Sequence, residues 1–325
     1  MNKNQIISTG DIKDSEVTIA GGDITIGGKS PENEDQGLIK HLAKRFQTHW
    51  KRINEAKLRD WLIQFETTKR RQLALMLLER IDYVDDTKII DMLTSFYSDL
   101  PEDGREMAVF VPFGSPGESS ALITYLCSRA LNLGGITRDR FQSLDTALAS
   151  KEERPICFVD DNISSGTQAV AIFEELLGKR GESIHVKPLS KDKIERLKSC
   201  KIWFYTFFGF EEGDKFLKER LGQELSITTA SSARKKEACF QPGSLIFDNA
   251  QEREEAKEMA REIGFQLLKD KPWPEDRKRE FSLGYGNAQQ LIVFQYNTPT
   301  CTLPIFWKEG RYKDKEWAPL FPRRE

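Results

Sequence analysis

The sequence predicts an α/β protein, a mainly parallel sheet flanked by helices, with an N-terminal helical extension and a short N-terminal β-repeat. Three observations lead there. From residue 106 onward, apolar strand-like runs alternate with helical stretches, the pattern of a sheet covered on both faces. Between residues 38 and 99, apolar side chains recur at spacings of three and four, which is helical periodicity. Before residue 36, apolar and polar residues alternate between glycine pairs, which is strand and turn chemistry.

Composition sets outer limits. At ~150 residues per domain, 325 residues make one large domain or two ordinary ones. Hydrophobic residues at 38%, with twenty Phe and six Trp, supply a sizeable core and argue against wholesale disorder. The expected organisation is a glycine-rich β-repeat and linker over 1–36, a helical bundle over 37–100 and an α/β domain over 101–325. No apolar run approaches the ~20 residues of a membrane helix, and the N-terminus has no long apolar stretch. The expectation is a cytoplasmic protein without membrane contact. Forty-nine basic against fifty-one acidic residues exclude a globally basic protein but leave room for a local basic patch.

In chain order, Gly10-Asp11-Ile12 recurs as Gly22-Asp23-Ile24, and Val17, Ile19, Ile24 and Ile26 alternate with polar partners. A hairpin or β-arch is expected, too small to bury a core alone, and it hints at a homo-oligomer. Helical stripes follow at Leu38/Leu42/Phe46/Trp50/Ile53, Leu58/Trp61/Leu62/Phe65, Leu73/Leu77/Leu78/Ile81 and Ile89/Ile90/Leu93/Phe96. Residues 36–72 hold ten Lys/Arg and three Asp/Glu. Residues 40–71, with Lys69, Arg70 and Arg71 at their end, are either solvated helix faces or a surface for RNA or DNA. Strands are then expected at 107–113, 155–160, 185–189, 201–210, 224–230 and 289–297, and helices around 118–131, 166–178, 211–221 and 249–268. Ligands of such sheets sit beyond the carboxyl ends of the strands, which makes those turns the places to inspect.

Cysteine and histidine narrow the chemistry. The five cysteines form no CxxC pair, and Cys127 and Cys157 lie in apolar runs as core residues. His41, His49 and His185 stand at no metal-ligand spacing, so a zinc enzyme or a Ser-His-Asp hydrolase has little support. Carboxylates, hydroxyls and backbone amides must do any catalytic work.

The sharpest segment is ICFVDDNISSGTQ over 156–168. An apolar strand leads into Asp160-Asp161, and Ser164, Ser165, Gly166 and Thr167 open a helix. Hydroxyls and free amides at a helix N-terminus make a phosphate cradle, and Gly166 permits close backbone approach. Two carboxylates beside that cradle would repel a phosphate, but suit sugar hydroxyls or Mg2+. Together they suggest a ribose 5-phosphate. The competing account is ordinary helix capping by Asp161 or Ser164, which leaves the paired acids unexplained.

This segment resembles the phosphoribosyl diphosphate (PRPP) signature of type I phosphoribosyltransferases, with Gln168 where that family usually has Thr or Ser. The resemblance implies that Asp160 and Asp161 are the catalytic acids, facing the ribose hydroxyls and Mg2+. It implies that Ser164, Ser165, Gly166 and Thr167 hold the 5-phosphate. It also implies a pyrophosphate loop, for which Phe113, Gly114 and Ser115 are in the right place. FGFEEG (208–213), GYGNAQ (284–289), VFQYNTPTCTLPIFW (293–307) and PLFPR (319–323) resemble more closely the phosphoribosyltransferase-like effector domain of bacterial conflict systems, including retron-associated anti-phage loci. That match is expected to run from about residue 45 to the end, giving a phosphoribosyltransferase-like sheet.

In the C-terminal block Tyr285, Asn287 and Asn297 are candidates for contacting a base. Asn297-Thr298-Pro299 is either that or a structural turn. Glu211 and Glu212 suit the dipole of the helix they open. Trp307 and Trp317 are expected as packing anchors. Three functional readings stand: an anti-phage effector that binds PRPP or a nucleotide with Mg2+ and transfers or removes a base; a catalytically inactive nucleotide sensor; and a nucleic-acid-associated subunit working with other subunits of a defence system.

Overall fold

A computed structural model of the chain describes residues 16–20, 23–27, 31–114, 119–132, 137–181, 184–234 and 238–323. Strands β1 (Glu16–Ala20) and β2 (Asp23–Gly27) pair antiparallel, with Val17 opposite Ile26 and Ile19 opposite Ile24. The first copy of the Gly-Asp-Ile repeat lies outside the described residues.

Helices α1 (Pro31–Phe46), α2 (Glu55–Ile63) and α3 (Thr68–Glu79) follow. Asn54 and Thr67 cap the latter two, each accepting a bond from the backbone N–H three residues on. The expected stripes are buried: Leu42, Phe46, Leu58, Phe65, Leu77 and Leu78 have no exposed surface. They do not close on themselves. Trp61 stacks on Phe306 at 5.3 Å and Phe65 meets Trp317 edge-on at 5.2 Å, so this core is shared with the C-terminal block. Where helix was expected, β3 (Asp82–Val84) instead forms a parallel pair with β8 (Ile292–Phe294).

The central sheet holds β4 (Val109–Pro112), β5 (Ile156–Ile163), β6 (Lys201–Gly209) and β7 (Ser226–Arg234), all parallel and adjacent in that order. Side chains alternate between two cores. Phe110, Cys157, Val159, Trp203 and Tyr205 face α4 (Asp86–Asp99) and α6 (Ser119–Asn132). Val109, Val111, Ile156, Phe158, Ile202 and Phe204 face α7 (Leu144–Ala149), α8 (Thr167–Leu176), α9 (Lys191–Ser199) and α10 (Glu211–Leu221). This is the period of two that both-face burial demands. An aromatic cluster of Phe113, Phe158, Phe173 and Phe204, with ring centroids 4.6–6.2 Å apart, sits beneath the strand ends. Each such pair adds about 0.5–1.5 kcal/mol beyond area burial.

One connection sets the topology. After β4 and α6, Phe141 bridges Phe110 in parallel on the β4 edge away from β5. Helix α7 then returns the chain on the opposite face to β5. Spatial order therefore reverses between β4 and β5, and right-handed crossovers put helices on opposite faces there. The junction is fixed by Arg140, a buried guanidinium donating to the carbonyls of Gly104, Arg105, Glu106 and Ala108 at 2.5–3.0 Å. Those carbonyls lie at the end of α5 (Glu102–Met107), where Gly104 also accepts from the N–H of Ala108 and Arg105 from the Tyr97 hydroxyl.

Two expected strands are corrected. Residues 185–189 form none, because the N–H groups of Ile184, His185 and Val186 donate to the buried Glu175 carboxylate of α8 at 2.8–3.1 Å. A side chain has taken the bonds a ladder would use. The expected strand 289–297 shrinks to β8 and stays outside the central sheet, since Phe294 and Asn297 exchange backbone bonds and close a turn. The chain is completed by α11 (Ala250–Leu267), α12 (Glu275–Phe281), α13 (Pro304–Trp307) and the hairpin β9 (Gly310–Tyr312) and β10 (Lys315–Trp317). No described helix is long and apolar enough to cross a membrane.

Candidate ribose-phosphate site

Open α/β sheets take ligands beyond the carboxyl ends of the strands where sheet order reverses, which here is between β4 and β5. The sharp sequence motif lies there. Strand β5 runs through both acids, with Asp160 beside Thr206 and Asn162 beside Phe208 of β6. The Asp160 carboxylate accepts from the N–H of Asp161 at 2.9 Å, and Asn162 donates to the Asp161 carboxylate at 2.8 Å. Ser119, the first residue of α6, also bonds the Asp161 carboxylate. Burial pushes the Asp161 carboxyl above its usual range, against the pull of Ser119, Asn162 and the charge of Arg323.

The chain then turns through Ser164–Gly166 into α8. Gly166 caps that helix with φ +75°, and the Ser165 and Thr167 hydroxyls lie 3.0 Å apart over its first turn. The loop rests on α10. A Cβ on Gly166 would come within 2.7 Å of the Gly213 carbonyl, and a Cβ on Gly213 would overlap the Ser164 carbonyl. Phe210 donates its N–H to Ile163 at 3.1 Å, docking the two strand ends. In FGFEEG, Glu211 and Glu212 are exposed on the first turn of α10, while Gly213 seats the loop.

The C-terminal block reaches the same place. Thr298 donates to the Phe321 carbonyl at 2.9 Å and Phe321 donates to the Phe306 carbonyl at 2.8 Å. These bonds hold a strap over residues 318–323. At its end the Arg323 guanidinium lies 5.6 Å from the Trp307 ring centre and is within electrostatic reach of Asp161. Tyr296 is buried; its hydroxyl has no hydrogen-bond partner, and its acidity is suppressed by burial and by the nearby Asp161 and Asp160.

A phosphoribosyltransferase-like family profile, PRTase-CE, matches residues 58–323. The chain belongs to the PRTase-CE family. No curated protein matches it. The PRTase-CE match ends on Arg323 and takes in α2 and α3, so the family unit includes the helices that share the C-terminal core.

The remaining predicted residues of this PRTase-CE chain fall in different settings. Phe113 is a core residue within the aromatic cluster, so only its backbone can face a ligand. Gly114 turns with φ +99° at the end of β4, and Ser115 lies outside the described residues. Tyr285 is half-buried and stacks one ring face on Phe281 at 4.3 Å. Asn287 is exposed in the left-handed region at φ +56° and accepts from Gln289 at 3.1 Å. Asn297 belongs to the turn that ends β8 and follows Tyr296.

Lys69 pairs with Glu252 and Glu255 of α11 at 3.3 and 3.7 Å, and Arg70 with Glu262 at 2.6 Å. Arg71 donates to the Glu66 carbonyl at 3.2 Å. Three acids thus face Lys69 and Arg70.

Among the described residues no three His, Cys, Asp or Glu side chains are grouped to hold a metal. An all-protein cage is therefore not formed there. Asp160 and Asp161 fit the other Mg2+ mode, in which one or two carboxylates are joined by ligand phosphates and water. A separate cleft of about 810 Å³ lies between α2 and the β9–β10 hairpin, lined by Trp61, Trp317 and strap residues 318–320 and 322, and by no residue of β5, α6 or α8. Ser119, Tyr296, Gly213 and Arg323 were not picked out as site residues from sequence. For Arg323 and Gly213 the signal was present, inside the PLFPR and FGFEEG elements.

Proposed function

We propose that the PRTase-CE site binds the 5-phosphoribosyl group of PRPP or a nucleotide with Mg2+ and transfers or removes a base. The observation that carries this reading is the acid pair at the end of β5 running straight into the Gly166-capped loop, at the point where sheet order reverses.

Amides and hydroxyls of Ser165–Thr167 would fix the 5-phosphate, so that binding far from the reacting carbon holds its geometry. Asp160 and Asp161 would orient the ribose hydroxyls and favour positive charge developing at C1 as its substituent leaves. The same acids would hold Mg2+, which would supply charge neutralisation for a departing pyrophosphate. The turn at Gly114 would face that group through its backbone. In this reading the chain is the effector of an anti-phage system, acting with other subunits as a homo-oligomer, and its chemistry depletes or modifies nucleotides.

One observation favours a second reading, nucleotide sensing without turnover: Asp161 is already satisfied by Ser119 and Asn162. The test is calorimetric titration of PRPP, with and without Mg2+, into the wild type and an Asp160→Asn/Asp161→Asn variant. Mg2+-dependent micromolar binding lost in the variant supports the reading, and absence of heat in the wild type overturns it. Product analysis under the same conditions separates transfer from sensing.

A further inference from the structure

The two edges of the central sheet differ. Outside β4, the chain at 141–142 lies along the strand: Phe141 bridges Phe110, and Gln142 donates its N–H to the Phe110 carbonyl at 3.1 Å. Outside β7 nothing comparable stands. Among the described residues, β7 is paired along its length to β6, and no backbone group bonds its other edge.

Burial agrees. Strand β6 is buried from Ile202 to Gly209, whereas no residue from Ser226 to Ala233 of β7 is buried. Yet both faces of β7 are covered, since Ile227 packs on the core that includes α10 and Ala230 on the core that includes α4. Its exposure is therefore sideways, along the edge. Natural sheets protect a free edge with charges, proline, a bulge or a very short strand. Strand β7 is nine residues long, has no proline, keeps one constant register with β6 and carries no charged residue before Arg234.

We propose that this edge is a homodimer interface, in which β7 pairs antiparallel with β7 of a second copy and joins two four-stranded sheets into one. The inference takes the homo-oligomer of the reading above and names its surface. The ribose-phosphate chemistry plays no part in it.

Self-complementarity points to a second copy as the occupant. A twofold axis at Ala230 sets Thr228 opposite Ser232, Thr229 opposite Ser231 and Ile227 opposite Ala233 of the second copy. The Thr229 and Ser231 hydroxyls are buried and have no hydrogen-bond partner. In this register each stands opposite the other, and cross-strand Thr–Ser pairs form hydrogen bonds. Thr228 and Ser232, both exposed, make the matching pair on the opposite face. At the axis Ala230 meets Ala230, which leaves room for close approach. No like charges meet between Ser226 and Ala233, so nothing in the strand opposes its own copy.

The experiment measures self-association of the full chain by sedimentation at micromolar concentration. The wild type should sediment with twice the mass of the chain. Thr228→Lys, which places a charge on the edge, should weaken self-association at least about tenfold and leave thermal unfolding of the dilute protein unchanged. A monomeric wild type, or a dimer that Thr228→Lys leaves intact, overturns the inference. If Thr228→Lys does not fold, disulfide trapping replaces it. With a mild oxidant, Ala230→Cys should give a covalent dimer, while Ser226→Cys, far from its own copy in this register, and the wild type should not. No covalent dimer from Ala230→Cys, or an equal yield from Ser226→Cys, also overturns it. Titration of PRPP into the same samples keeps the two readings apart: a monomer that binds PRPP overturns the interface alone, and a dimer that does not bind it overturns the ribose-phosphate site alone.

Discussion

Gly166 and Gly213 lie against each other, and neither position has room for a Cβ: one on Gly166 would meet the Gly213 carbonyl at 2.7 Å. The contact joins the phosphate loop after β5 to the first turn of α10, the helix after β6. It explains why the Phe-Gly-Phe-Glu-Glu-Gly element must end in glycine.

Gly213→Ala should therefore act at a distance. The new methyl overlaps the Ser164 carbonyl, and the loop must move. The expected outcome is a stability loss of about 1–3 kcal/mol from overpacking, with at least about tenfold weaker binding of ribose 5-phosphate. Denaturation and calorimetry on one sample check both.

Asp161→Asn should separate stability from function. Burial holds the Asp161 carboxyl above its ordinary value, so its ionisation disfavours the folded state. The penalty is absent below the unfolded value of ~3.9 and complete above the folded one. The variant should be the more stable protein near neutral pH, lose that advantage as pH falls, and fail to bind PRPP. Denaturant curves across pH, beside a titration, would reveal it.

Glu175 carries the opposite sign. Burial would raise its carboxyl, but bonds from Val186, His185 and Ile184 outweigh burial and hold it below the usual range. Its contribution is present above ~4.3 and disappears as pH falls through the folded value. Glu175→Gln should cost about 2 kcal/mol at neutral pH, since charge-assisted bonds are lost. The gap from wild type should shrink below that window in equilibrium unfolding.

Arg140→Met tests the junction where sheet order reverses. Four carbonyls around the end of α5 each lose the bond from Arg140, and those of Glu106 and Ala108 lose it with no other donor described. A loss of at least about 3 kcal/mol is expected, measured by chemical denaturation. Hydrogen exchange should rise first around Phe110 and Gln142, whose backbone bond ties residue 142 to the β4 edge.

The acid pair, the hydroxyl loop and the positions of the main strands along the chain were legible because each is a run of neighbours in sequence. Asp160 to Thr167 carries its own meaning in eight consecutive residues. What stayed hidden depends on distant partners. Nothing near Asp82 announces that it will pair with Ile292, so that short strand read as helix. Glu175 looks like an exposed helix residue until its carboxylate is seen holding three backbone N–H groups, which also cancels the strand expected at 185–189. Lys69 and Arg70 left open solvated helix faces or a nucleic-acid surface, and the acids that pair with them could not be read locally because they stand on α11, more than 180 positions on. Tyr285 was a candidate for contacting a base, and its partner Phe281, on which one face of the ring stacks, could not be read from the sequence.

The parallel pairing of residue 82 with residue 292 also imposes a timetable on biosynthesis. Strands β4 to β7 are complete by residue 234, so the acid pair and loop can assemble while the ribosome is still adding the rest. Tyr296, the strap and Arg323 emerge only afterwards, and their docking must close contacts across more than two hundred residues, the slow kind of folding event. A chain interrupted in translation would carry the acid pair and its loop without the C-terminal block that buries Tyr296 near them.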